Sequence, residues 1–329
     1  LGRRMVGFKG RYRNPGLVVD EIENILSMGF SRINVADDLF TANRDRVRTL
    51  CEEILRRGVN FGWSAFARVN TVDLETLKIM RRAGCDCISF GIESGNPDML
   101  KRIRKGITLD QARQAVAWCK EADILPHASF MVGLPGETRQ TLEDTHRFAS
   151  ELSIAYGYHF FAPFPGTTVR EELASYDIEI LTNDWGRYDA NAPVVRTSAL
   201  TPQEMIDFVA EYDRFNAAIW EETELRVRQG TCTEREYLLV EGDRKLKLVY
   251  RILSEDLVET SDVPAPDGVS PAEMLADRIA GTTGTDRSFT RAVIGSFIEA
   301  GFIRWSRKDG RYIFRWTHNL QVDTLPVTP

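Results

Sequence analysis

The sequence predicts an α/β protein built on a parallel sheet, followed by a smaller, mainly helical region. Between residues 15 and 175 apolar runs of strand length alternate strictly with stretches of helical periodicity. Strict alternation requires crossover helices, and crossover helices join parallel strands. Past residue 200 the rhythm changes and long helical patterns take over.

The first helix is "LVVDEIENIL", which puts Val18, Val19, Ile22, Ile25 and Leu26 on one face. "FSRINVADDLF" reads as a buried strand ending in two aspartates. "VRTLCEEILRRG" carries Val47, Leu50, Cys51, Ile54 and Leu55 at helical spacing and stops at Gly58. "NFGWSAFARV" is the second strand, and "DLETLKIMRRAG" is a helix closed by Gly84. "CDCISFGIE" is the third strand, and the stretch from Pro97 to Ala122 is helical with a break near Gly106. "ILPHASFMVGLPG", the helix "TLEDTHRFASEL" and "YGYHFFAPFPGT" complete the alternation. Four strands end in polar or glycine-rich tips, "ADDLF", "IESGN", "GLPGET" and "PFPGTT"; the other ends in "ARVN". In parallel barrels the chemistry gathers at the C-terminal strand ends, so function is expected there. The pattern opens on a helix, and a first strand with its loop is expected upstream of Leu1.

Beyond residue 200, Thr201 and Glu204 form a capping-box signature before a long helix. A Pro/Gly-rich connector, "DVPAPDGVSP", precedes helices near Ala272–Ile279 and Ser288–Ala300. "GFIRWS" and "RYIFRW" then flank an Asp-Gly turn, a hairpin signal. Helix, helix and hairpin in this order resemble a winged helix; a plain packing module is the other reading. The expected division is 1–180, 181–262 and 263–329.

The composition narrows the functional classes. The chain has 329 residues, 43% hydrophobic, with a formal net charge of -6, which argues against a general nucleic-acid binder. No apolar run reaches the roughly 18 residues of a membrane span, and no signal peptide is visible. Five scattered cysteines suit a reducing cytoplasm better than a disulfide framework. The four histidines, His127, His146, His159 and His318, form no H-x-H or H-E-x-x-H pair, which disfavours a zinc hydrolase.

"GRRMVGFKGRYRNPGLVVDEIENIL", "INVADDLFTANRDRVRTLCEEI", "FGIESGNPDMLKRIRKGIT", "MVGLPGET" and "FAPFPGTTV" occur in this order over roughly residues 1–175. Together they resemble the catalytic barrel of radical S-adenosylmethionine (SAM) enzymes, in the branch often fused to a cobalamin-binding domain. The resemblance implies a partial TIM-type (β/α)6 barrel lacking its first strand, joined to a helical, winged-helix-like C-terminal region. It implies SAM and a [4Fe-4S] cluster as cofactors and, with an upstream domain, cobalamin. It further implies a small-molecule or peptide substrate and an electron donor such as flavodoxin or ferredoxin. The implied reaction is reductive cleavage of SAM to a 5′-deoxyadenosyl radical, with methyl transfer where cobalamin takes part. The family's C-x-x-x-C-x-x-C loop is not in this sequence, since Cys51, Cys85, Cys87, Cys119 and Cys232 lack that spacing. This chain alone is therefore expected to be inactive. The alternatives are a degenerate barrel that holds a nucleoside or partner, and a C-terminal module that recognises peptide or nucleic acid.

The resemblance places Asp37 and Asp38 beside the methionine amino group, though aspartates there also serve as helix caps. Arg68 suits the methionine carboxylate, or a neighbouring acidic tip. Glu93 and Ser94 match the ribose motif. A carboxylate accepts two hydrogen bonds at once, and Gly91 and Gly95 permit a close approach. An ion pair of Glu93 with Arg68 or Lys105 would also satisfy that charge. Ser129, Met131, Gly133 and Gly136 fall on the adenine-strand pattern G-x-I-x-G-x-x-E with two departures, and Glu137 is the stand-in for the glutamate. Phe161, with Pro163 and Phe164, would close the cavity, or pack as core. The cluster of basic residues in "LGRRMVGFKGRYR" suits an anionic carboxylate or a solvated arm. Cys51 and Cys119 read as core thiols.

Overall fold

The computed structural model describes residues 10–37 and 39–317. Asp38, His318 and most of the basic N-terminal segment, among the residues singled out above, lie outside the described residues. The chain forms two compact units, residues 1–213 and 214–329.

In the first unit, helices and strands alternate as the periodicity predicts. They are α1 (Pro15–Ser27), β1 (Arg32–Val35), α2 (Arg44–Arg57), β2 (Gly62–Ala67), α3 (Leu74–Arg82), β3 (Cys85–Glu93), α4 (Pro97–Arg102), α5 (Leu109–Glu121), β4 (Leu125–Val132), α6 (Arg139–Glu151) and β5 (Ala155–Phe160). The helices start where short polar side chains cap them: Asn14, Asn43, Asp73, Asn96, Thr108 and Thr138 each accept a first-turn backbone N–H. The break expected near Gly106 is the connector between α4 and α5.

The five strands pair in parallel in the order β1-β2-β3-β4-β5. Sequential order with right-handed crossovers puts every helix on the same side, so the sheet is singly wound in the manner of a barrel wall. Trp63, Ala65, Ile88, Phe90, Ile92, Ala128 and Phe130 point to the helical side. There they pack with Leu50, Ile54, Leu77, Met80, Val116 and Phe148 in one core. Burying each of the large aromatics is worth about 1.5–3 kcal/mol, and the buried Trp63 indole donates to the Ala83 carbonyl at 2.8 Å. The alternate positions, Ser64, Ser89, Gly91, His127, Ser129, Gly157 and His159, are half-buried or exposed. Apart from the exposed Phe66, that concave face carries mostly small or polar side chains and is not a packed core.

After β5 come α7 (Thr168–Glu171), the two-stranded ladder of β6 (Glu179–Ile180) and β7 (Val195–Arg196), and α8 (Pro202–Gln229), which continues into the second unit. Leu200 and Met205 pack on Val132, Leu142 and Phe160.

The second unit holds α9 (Glu234–Ser254), β8 (Asp262–Pro264), α10 (Pro271–Thr283), α11 (Arg287–Glu299), β9 (Ile303–Lys308) and β10 (Arg311–Trp316). Its antiparallel sheet runs β8-β10-β9. The hairpin turns at Asp309 and Gly310, both at positive φ (49° and 71°), as a two-residue primed turn requires. Ile252, Leu275, Ile279, Ile294, Ile303 and Phe314 form its core. No helix among the described residues is long and apolar enough to cross a membrane.

Gly95 shows how closely the elements of the first unit fit. A Cβ there would lie 2.6 Å from the Phe148 Cβ and 2.7 Å from the Thr145 Cα, both on α6. Gly95→Ala should cost about 1–3 kcal/mol through overpacking against backbone that cannot swing aside. Denaturant unfolding measures this, and wild-type stability in the variant would mean that α6 yields at this contact.

Candidate functional site

A cavity of about 450 Å³ opens at the C-terminal ends of β3, β4 and β5. Glu93, Arg104, Lys105, Met131, Phe161 and Tyr176 are among its lining residues. Glu93 is the last residue of β3, on left-handed backbone with φ 73°. The β3–β4 register shifts between Gly91 and Glu93. This bulge re-aims the side chain at the strand end. The Lys105 ammonium donates to the Glu93 Oε1 at 2.6 Å, with both side chains about one-fifth exposed. The Glu93 Oε2 has no hydrogen bond among the described residues. Gly91 lies beneath the pair, and a Cβ there would come within 2.8 Å of the Glu93 Oε1.

Lys105 is held by the loop that follows β2. Arg68 donates from Nη2 to the Lys105 carbonyl, and the Asn70 amide donates to the Gly106 carbonyl at 3.2 Å. Arg68 therefore supports the connector and does not line the cavity; its Nε is buried without a partner. Of the two partners weighed for Glu93, Lys105 is the one that pairs. On the other side Arg102 donates to the Gly136 carbonyl at 3.0 Å and ties the connector to the turn after β4.

The structure brings Glu93, Met131 and Phe161 to one cavity. Ser94 is elsewhere: fully buried, its hydroxyl lies 3.1 Å from the Thr145 Oγ1 and accepts the Asn96 N–H. The space that Gly95 leaves is likewise filled by α6. Gly133, at φ 90°, begins the turn after β4, and its N–H is taken by Glu137. Asp37 lies on a second cavity, of about 380 Å³, with Tyr12, Ile33, Phe40, Arg46 and Trp63.

Glu137 is fully buried, and its Oε2 accepts the N–H groups of Gly133 (2.6 Å) and Leu134 (3.2 Å) while Oε1 has no partner among the described residues. Burial disfavours the charge more than these two donors favour it, and the carboxyl is pushed up to about 8. On the concave face, Ser89 and the His127 Nδ1 lie 3.1 Å apart, burial lowers the His127 pKa, and His159 is exposed. Burial pushes Cys51 and Cys119 up to about 12 and raises Cys85 as well, leaving these thiols unreactive at neutral pH. Among the described residues no group of three or more His, Cys, Asp or Glu is placed to hold a metal ion.

Lys105 entered the sequence reading only as an ion-pair partner, and Arg104 and Tyr176 not at all. The one signal was "RIRKG", a helix ending in cations and glycine, which also describes an ordinary solvated helix end.

Comparisons with known proteins bear on the family and the fold. The family model described as Radical SAM superfamily matches residues 3–149. The uncharacterized methyltransferase PH0819 of Pyrococcus horikoshii is 34% identical over 202 residues, covering 60% of this chain and 44% of that protein. The anaerobic magnesium-protoporphyrin IX monomethyl ester cyclase of Cereibacter sphaeroides is 35% identical over 212 residues, covering 62% of this chain and 34% of the cyclase. The chain thus spans less than half the length of either relative. Among solved structures, OxsB, described as a cobalamin-dependent S-adenosylmethionine radical enzyme, matches with a TM-score of 0.50 at 16% identity. That match covers 88% of this chain and 50% of OxsB, and it speaks to the fold alone.

Glu137 gives the first unit a pH signature. Its carboxyl titrates near 8 when folded and near the ordinary 4.5 when unfolded. Between those values the unfolded chain has lost a proton that the folded chain keeps, so stability falls as pH rises and levels off above 8. Denaturant unfolding of wild type and Glu137→Gln should show the wild type losing stability relative to the variant from pH 5 to pH 8. Parallel profiles would mean that the carboxylate is ionised when folded.

Proposed function

We propose that this chain, whose residues 3–149 match the radical SAM superfamily model, supplies the SAM-binding wall of a radical SAM enzyme. We place that enzyme in the cobalamin-associated branch and assign it methyl transfer or a related radical reaction. The observation that carries this reading is Glu93, which lines the strand-end cavity with one carboxylate oxygen paired to Lys105 and the other without a bond among the described residues. Methyl transfer is favoured by relatives named as methyltransferases, among them bacteriochlorophyllide d C-12(1)-methyltransferase of Chlorobaculum tepidum.

The residues fit the nucleoside half of SAM. Glu93 Oε2 is positioned to accept from a ribose hydroxyl while Lys105 holds the other carboxylate oxygen in place. The missing side chain at Gly91 makes room for the Glu93–Lys105 pair itself. Met131 and Phe161 offer apolar surface to a base, and Leu134 and Pro135 close the same wall against water. On one-electron cleavage, bound SAM supplies a 5′-deoxyadenosyl radical. The cysteines of this chain do not fit a four-iron cluster: Cys51, Cys85 and Cys119 are buried, and no cysteine belongs to a metal-holding group among the described residues. These residues thus account for binding and orienting the nucleoside, and not for the electron.

Glu93→Ala should weaken SAM binding by roughly 1–3 kcal/mol, the worth of a charge-assisted hydrogen bond. Calorimetric titration of SAM into both proteins measures it. Unchanged affinity with unchanged melting would remove Glu93 from the ribose role.

A further inference from the structure

Three cations, Arg102, Arg104 and Lys105, and one carboxylate, Glu93, line the strand-end cavity. Lys105 is neutralised by Glu93. Arg102 donates to backbone carbonyls, which hold its guanidinium but leave its charge uncompensated. Arg104 has no hydrogen bond or ion pair among the described residues, and its side chain is exposed. The remaining wall, Ile103, Met131, Leu134, Phe161 and Val169, is apolar, with hydroxyls from Thr168 and Tyr176. The cavity therefore presents two positive charges with no anion among the described residues to answer them.

Arg104 is also fixed by its backbone. Its φ is 54°, left-handed at a residue with a side chain, and Glu93 across the cavity has φ 73°. Such conformations are strained and cluster at ligand sites. Here they aim the unpaired cation and the ribose-facing carboxylate into the same space.

We propose that Arg104, backed by Arg102, binds an acid group, a carboxylate or phosphate, of the molecule that reacts with the SAM-derived radical. The inference rests on the reading of the cavity as the SAM site. SAM itself carries a sulfonium, an ammonium and one carboxylate, a net positive charge, so a wall with surplus cations opposes it. A second ligand that is net anionic relieves that repulsion and is drawn in by the same field. Guanidinium groups pair bidentately with both acid types.

The test is calorimetric titration of wild type, Arg104→Gln and Arg104→Lys with four probes: 5′-methylthioadenosine, SAM, inorganic pyrophosphate and glutarate. The anions are titrated with and without saturating methylthioadenosine. One of the anions should bind wild type about ten-fold more tightly than the Gln variant, with the Lys variant regaining part of the loss. The Gln variant should bind methylthioadenosine unchanged and SAM no more weakly than wild type. If Arg104→Gln instead weakens SAM while sparing methylthioadenosine, Arg104 holds the methionine carboxylate and the proposal is overturned. It is overturned equally if neither anion distinguishes wild type from the Gln variant. If wild type ignores methylthioadenosine but binds an anion through Arg104, the SAM reading fails while the anion subsite stands.

Discussion

The ion pair between Glu93 and Lys105 organises the strand ends around it. A carboxylate at the buried end of a parallel strand needs compensation, and Lys105 supplies it from a connector that has no regular structure of its own. That connector is fixed from below by Arg68 and Asn70 on its backbone carbonyls and from the side by Arg102 reaching the turn after β4. With each side chain about one-fifth exposed, the pair lies between a surface pair, worth at most about 1 kcal/mol, and a buried one. Its larger contribution is position, because it sets one oxygen of Glu93 toward Lys105 and the other toward the cavity.

The singly wound sheet explains why the cavity is there at all. Parallel sheets normally bury both faces, and their strands then read as continuous apolar runs. These strands do not. Ile88, Phe90 and Ile92 alternate with Ser89, Gly91 and Glu93, and Ala128 and Phe130 alternate with His127, Ser129 and Met131. One face buys stability against the helices, and the other stays mostly small or polar, and accessible. The charged and apolar tips then converge at the end of that accessible face.

The strands and helices were legible because each carries its own local signal: a short, largely apolar segment for the strand, a cap and a 3.6-residue stripe for the helix. Glu93 was legible for a related reason, since a charge ending an apolar strand asks for a partner, and the candidates were few. Ser94 and Gly95 were not. Their environment is set by Thr145 and Phe148, some 50 residues later on α6, and local pattern carries nothing about that contact. A serine and a glycine beside a ribose-type carboxylate look the same whether they face a ligand or a helix. Asp37 shows a different limit. Its place at a strand tip was readable, but which of two cavities that tip borders depends on how α1 and α2 close over β1.

Arg104 was illegible for the opposite reason: an arginine in "RIRKG" has every appearance of a solvated helix end. What distinguishes it is the geometry of the break between α4 and α5, where the chain turns left-handed and leaves Lys105 and Arg104 on the cavity. Residues that hold a shared cofactor belong on strand ends, where two neighbouring strands fix the backbone. Residues that select one substrate belong on connectors, where side chains can change without disturbing the sheet. Glu93 and Met131 stand on the first kind of position and Arg104 on the second. The cavity wall is thus divided between a part held by hydrogen bonds from three strands and a part whose charge faces only what enters.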